Sequence, residues 1–170
     1  MPALLFLEMD VNSYTILKKG RKFVQYDHVP ETTLNILYGI NEILSQYIVI
    51  HDVFFDFRWE RALPIPGVFE SMDFREYSRN LDSLSAKLDS IISSVQDNDD
   101  LSVLIREYSA ALNETINLLK DICVNLHNKA EAIDRGYTWD KYNQDRLQYE
   151  KSAKEYQNIG LRLNMQLQKM

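Results

Sequence analysis

The feature that most constrains this chain is a seven-residue apolar repeat. Phe74, Tyr77, Leu81, Leu84, Leu88, Ile91 and Val95 follow one another at alternating steps of three and four residues. That spacing keeps one stripe of an α-helix turned toward a neighbouring helix. A second run, Leu101, Ile105, Tyr108, Leu112, Thr115, Leu119, Ile122, Leu126 and Ile133, keeps the same phase and is widened by Leu104, Ala111, Ile116, Leu118 and Cys123. A wider apolar face belongs to a helix with more neighbours, so the second run is predicted to be central. A third run carries Trp139, Tyr142, Tyr149, Ala153, Tyr156, Leu163, Leu167 and Met170, with Gly160 in the same seam.

Short polar breaks at Asp97, Asn98, Asp99 and Asp100, and at Arg135 and Gly136, divide the three runs. Short connections make successive helices antiparallel. Residues 64–170 are therefore predicted to form a long antiparallel three-helix bundle, with Thr138 and Asp140 starting its last helix.

The first 63 residues are patterned differently. Leu5, Leu7, Met9 and Val11 alternate with Glu8, Asp10 and Asn12, and two further β-rich stretches follow, separated by the polar loop of Lys18, Lys19, Gly20, Arg21 and Lys22. This reads as a small antiparallel sheet. Pro30 and Glu31 open a helix expected to run to about Gln46. Beyond it Val49, His51, Val53, Phe55, Phe57 and Trp59 share one face at a period of two, which predicts a strand over 49–59. A rival phase, Tyr47, Ile50, Phe54 and Phe57, would continue the helix; β-branched and aromatic enrichment favours the strand. The expected class is α+β, mainly α: a sheet-plus-helix unit at 1–63 and the bundle at 64–170, packed as one globular unit.

Composition narrows the function. The chain has 170 residues, a net charge of −6 and a single cysteine, Cys123. The acidic balance argues against a protein devoted to nucleic acid or anionic membrane. One cysteine permits no internal disulfide and suits a reducing compartment, so the cytoplasm is expected. The most apolar window, 43–59, is interrupted by Ser45, Gln46, His51, Asp52, Asp56 and Arg58. No membrane span is expected from it.

No catalytic, cofactor or metal signature stands out. His28, His51 and His127 share no ligand spacing, and Asp97, Asp99 and Asp100 lack the glycine and distal glutamate of a calcium loop. Cys123 sits among Leu119, Ile122 and Leu126 as a core residue. Glu8 with Asp10, and Asp52 with Asp56, read as the solvent side of strands.

Two groups of residues suggest binding. Tyr142, Tyr149 and Tyr156 recur at seven-residue steps and continue to Leu163. Tyrosine is amphipathic, so this line suits either the rim of the internal seam or a contact with a second chain. Lys18, Lys19, Arg21 and Lys22 form a basic hairpin tip that could meet phosphates or an acidic partner. The expected function is a non-enzymatic protein–protein interaction module acting through a bundle face, with a protein partner or its own copy. The alternatives are a small-ligand binder or enzyme using His51, Asp52 or Asp56 between sheet and bundle, and nucleic-acid contact through the basic hairpin within a larger complex.

Overall fold

The computed structural model describes residues 29–55, 73–131, 133 and 136–170. These residues form four helices: α1, Glu31–Phe55; α2, Phe74–Ser94; α3, Asp100–Ala130; and α4, Trp139–Leu167. Among the described residues there is no strand, which corrects the α+β expectation to an all-α fold. The proposed sheet over the first 28 residues lies outside the described residues.

The correction is sharpest at the proposed fourth strand, whose described part, 49–55, is the last two turns of α1. The helical phase won. Tyr47, Ile50 and Phe54 are buried, whereas Val49, on the supposed strand face, is 66 % exposed. A helix with neighbours on several sides carries apolar residues at many angles, and such a pattern can mimic alternation over a few residues. Burial against those neighbours then overrides β-propensity, which has little intrinsic strength. The helix accordingly continues past Gln46 to Phe55.

Helix starts are set by side chains that satisfy the first unpaired backbone N–H groups. Pro30 carbonyl accepts from Leu34 N–H and opens α1. Asp73 accepts from Glu76 N–H at 2.8 Å and caps α2. Asp99 accepts from Leu101 and Ser102 N–H at 2.9 and 3.0 Å and caps α3, while Thr138 caps α4 through Lys141 N–H. The acids of the α2–α3 break are thus accounted for in part by capping. Arg106 closes the same turn by donating to the carbonyls of Val95 and Asp97.

Contacts fix the direction of each helix. Phe54, near the end of α1, packs on Phe74 and Tyr77 at the start of α2, with ring centroids 5.7 and 5.8 Å apart. Gly39, near the start of α1, lies against Ile91 near the end of α2. Asp82, Ser85 and Asp89, descending α2, meet Lys120, Asn117 and Asn113 in turn on α3. Thr115 of α3 meets Ser152 of α4, and Glu107 meets Arg162. Each helix therefore runs antiparallel to the one before it.

The heptad seams supply the core. On α3, Leu101, Ile105, Tyr108, Leu112, Thr115, Leu119, Ile122 and Leu126 are all buried. Leu81, Leu84 and Leu88 of α2 and Tyr149, Tyr156, Leu163 and Leu167 of α4 close on them from either side. Ile133, counted above in the α3 seam, lies past the helix end and is 71 % exposed. With 31 residues at about 1.5 Å per residue, α3 is roughly 46 Å long.

Candidate functional site

The densest group of chemically capable side chains lies where α1 crosses α4. Tyr47 and His51 stand one turn apart on α1, and Tyr149 of α4 reaches between them. The hydroxyls of Tyr47 and Tyr149 are hydrogen-bonded to each other, and Tyr149 Oη lies 2.6 Å from His51 Nδ1. With a neutral imidazole bearing its proton on Nε2, the direction of the chain follows: Tyr149 donates to Nδ1 and accepts from Tyr47.

Aromatic packing holds this chain in place. Tyr156, two turns beyond Tyr149, sets its ring edge-on to Tyr47 at 6.2 Å and to Tyr108 of α3 at 6.0 Å. Rings in this arrangement bring the positive edge of one onto the negative face of the other, worth about 0.5–1.5 kcal/mol per pair beyond area burial. Three helices are thereby joined through four tyrosines.

Burial sets the electrostatics of the cluster. It pushes the phenol of Tyr47 well above its ordinary value, and the fields of Tyr149 and Tyr156 add to the shift. Tyr149 is raised chiefly by burial, against the hydrogen bond from Tyr47. Tyr108 and Tyr156 are raised mainly by burial as well. All four phenols stay protonated through the physiological range and act as neutral hydrogen-bonding groups. Cys123, fully buried nearby, is held as a thiol because burial penalises the thiolate.

The residues singled out by sequence fall in several places. Tyr149, Tyr156 and Leu163 are buried in the bundle seam, and Tyr142 is half-buried at its edge, its ring edge-on to Trp139 at 5.4 Å. A second chain could reach the buried three only if α4 moved. His51 and Asp52 are half-buried on α1; Asp52 lies close enough to Tyr149 to raise its phenol slightly. His127 stands half-buried in the last turn of α3. Lys18, Lys19, Arg21, Lys22, Glu8, Asp10, His28 and Asp56 lie outside the described residues. Among the described residues, no three of the His, Cys, Asp and Glu side chains come together as a metal site. No helix among them is long and apolar enough to cross a membrane.

Tyr47 was not singled out by sequence, although a signal existed. Tyr47 and His51 are spaced i, i+4, which places them on one face of a helix. Treating 49–59 as a strand separated them.

Comparison with protein-family models, with curated proteins and with solved structures finds no match to this chain.

Proposed function

We propose that this protein is a non-enzymatic interaction module, an adaptor, assembly factor or scaffold that acts through one face of its helical bundle. The observation supporting the reading lies on α4. Tyr149, Tyr156, Leu163 and Leu167 form its buried line, and on the opposite side of the same helix Leu147, Leu161 and Met165 are 60, 43 and 55 % exposed. At 100° per residue these three fall within one narrow stripe. Leu161 and Met165, one turn apart, make an exposed apolar pair there, with Leu147 on the same stripe beyond the exposed Lys151, Lys154 and Asn158, and this pair is apolar surface that α4 has to offer a partner.

The stripe also selects the partner. Lys154 sits midway between Leu147 and Leu161 and is exposed. A second copy laid antiparallel on this stripe would set Lys154 against its own counterpart, a repulsive contact at the centre. A different protein, presenting an apolar ridge of matching spacing and a carboxylate to Lys154, fits better.

The test compares the wild-type chain with the double variant Leu147→Glu, Leu161→Glu. Circular dichroism should show equal helicity, because both positions are exposed. Affinity capture with mass spectrometry should recover a partner on the wild type that the double variant loses. An identical set of recovered proteins for both chains would refute this face, and sedimentation showing a wild-type homodimer would refute the choice of a different protein.

A further inference from the structure

The outer face of α4 carries charge as well as apolar surface. Leu147, Lys151, Lys154, Asn158, Leu161 and Met165 are all exposed and, at 100° per residue, fall within about 80° of arc. No acid stands among them, although the whole chain has a net charge of −6. We infer that this stripe binds an acidic amphipathic α-helix of a partner protein, a choice of partner that rests on α4 being the docking face. Leu147 would hold one end of that helix, Leu161 and Met165 the other, and Lys151 and Lys154 would meet carboxylates between.

The ion pairs of α4 set its central lysines apart. Arg146 faces Glu150 at 3.7 Å and Arg162 faces Glu107 of α3 at 3.5 Å, so these flanking cations are matched within the chain. Lys151 and Lys154 are in no ion pair among the described residues. They stand about 4.5 Å apart along the helix axis. Two ammonium groups that close together make a local positive field, which carboxylates of a partner neutralise and a basic partner would reinforce.

The form of the partner follows from what α4 lacks. Its backbone groups are bonded within the helix, so there is no strand edge to which an extended peptide could add. No aromatic side chain lies on the stripe to line a groove for a polyproline segment or to stack on bases. A second helix laid alongside, with axes about 8–10 Å apart, returns the same face every seven residues. Leu147 and Leu161 are separated by two such repeats, about 21 Å. The position of the lysines also favours protein over lipid. A helix that lies on a membrane keeps its apolar face continuous and its cations on the polar face, whereas Lys151 and Lys154 interrupt the apolar stripe at its middle.

Fluorescence anisotropy on the full chain, with two labelled helical peptides of about three heptads, tests this partner. Both carry leucines near the two ends of one face; one has glutamates between them and the other lysines. The glutamate peptide should bind saturably and at least about tenfold tighter than its lysine twin. That preference should shrink as salt is raised, because screening acts on exposed charges. The double variant Lys151→Glu, Lys154→Glu, with helicity unchanged by circular dichroism, should reverse the preference toward the lysine peptide. The variant Leu147→Glu, Leu161→Glu should weaken the glutamate peptide at least about tenfold. Equal affinity for the two peptides, no saturable binding up to about millimolar peptide, or a preference that the lysine reversal leaves in place would each overturn the acidic helix. Tighter binding to vesicles of equal parts phosphatidylcholine and phosphatidylserine, or to duplex DNA, lost in the lysine variant, would assign the face to a lipid surface or to nucleic acid instead. A cellular partner lost with the leucine variant but kept by the lysine variant would refute the acidic chemistry and leave α4 as the docking face.

Discussion

The α2–α3 and α1–α4 contacts are held together in opposite ways. Between α2 and α3, a continuous apolar seam carries the packing; the pairs Asp82 with Lys120 and Asp89 with Asn113 lie at its open edge, and the buried Ser85 accepts from the half-buried Asn117 between them. Exposed pairs of this kind contribute little, from zero to about 1 kcal/mol for an ion pair. They fix register rather than supply stability. Between α1 and α4 the polar groups lie largely inside: buried Tyr47 and Tyr149 and half-buried His51 share two hydrogen bonds next to an edge-on ring contact. A buried network is costly when broken, because each orphaned group keeps its full desolvation penalty. The first contact tolerates loss of a polar group and the second does not.

The largest effect should come from the seam itself. Leu112, fully buried on α3, faces the centre of the molecule. Leu112→Ala should destabilise by about 2–5 kcal/mol, the transfer cost plus that of the cavity left behind. Chemical denaturation monitored by circular dichroism measures it, and a loss below about 1 kcal/mol would mean that the core near α3 is not close-packed.

Next comes the hydroxyl at the centre of the α1–α4 contact. Tyr149→Phe keeps the ring and removes the group that both Tyr47 and His51 use. A loss of about 1–3 kcal/mol is expected. Tyr47→Phe added to it should cost less than the sum of the two single changes, since one orphaned hydroxyl is removed with its partner. Strict additivity in the double-mutant cycle would show that the two hydroxyls are not coupled.

Much of this division was legible in the sequence. The seam of α2 and α3 repeats over many residues, so its period survives a few exceptions, and caps at Asp99 and Thr138 mark the helix starts. The strand proposed over 49–59 failed because two periods competed over seven described residues. Tyr47, Ile50 and Phe54 fit one, Val49, His51 and Val53 the other, and only tertiary burial decided between them. The Tyr47–Tyr149 pairing was hidden for a related reason. Residues about a hundred positions apart meet through the way α1 lies on α4, and no local spacing encodes that. The tyrosine line of α4 was visible, but whether it faced a core or a second chain depended on where α1 lay.

A smaller, pH-dependent effect marks the α2–α3 side. Asp99 accepts from the N–H of Ser102 and from its hydroxyl as well as from Leu101 N–H, and these bonds lower its carboxyl below the ordinary value. A carboxyl lowered on folding contributes its stability above the unfolded value of about 3.9 and loses it as pH falls through the lower folded value. Asp99→Ala should therefore cost about 1 kcal/mol near neutrality, and its melting temperature should converge on that of the wild type as pH drops below about 4. A difference that stays constant into acid would show that the carboxylate is not what the cap requires.

The smallest expected effect tests the α1–α2 approach at Gly39. A glycine inside a helix costs about 1 kcal/mol relative to alanine, so Gly39→Ala starts with that gain. An added Cβ would lie 3.1 Å from Cδ1 of Ile91, tighter than ordinary contact. The atom it meets is the tip of a half-buried side chain, able to turn aside by a few tenths of an ångström at modest cost. Gain and crowding nearly cancel, and the net change should stay within about 0.5 kcal/mol of zero. Truncating the neighbour separates the two contributions: in an Ile91→Val background, which removes the colliding methyl, Gly39→Ala should become stabilising. If alanine destabilises equally in both backgrounds, α1 approaches α2 at Gly39 through its backbone and not through the Ile91 tip.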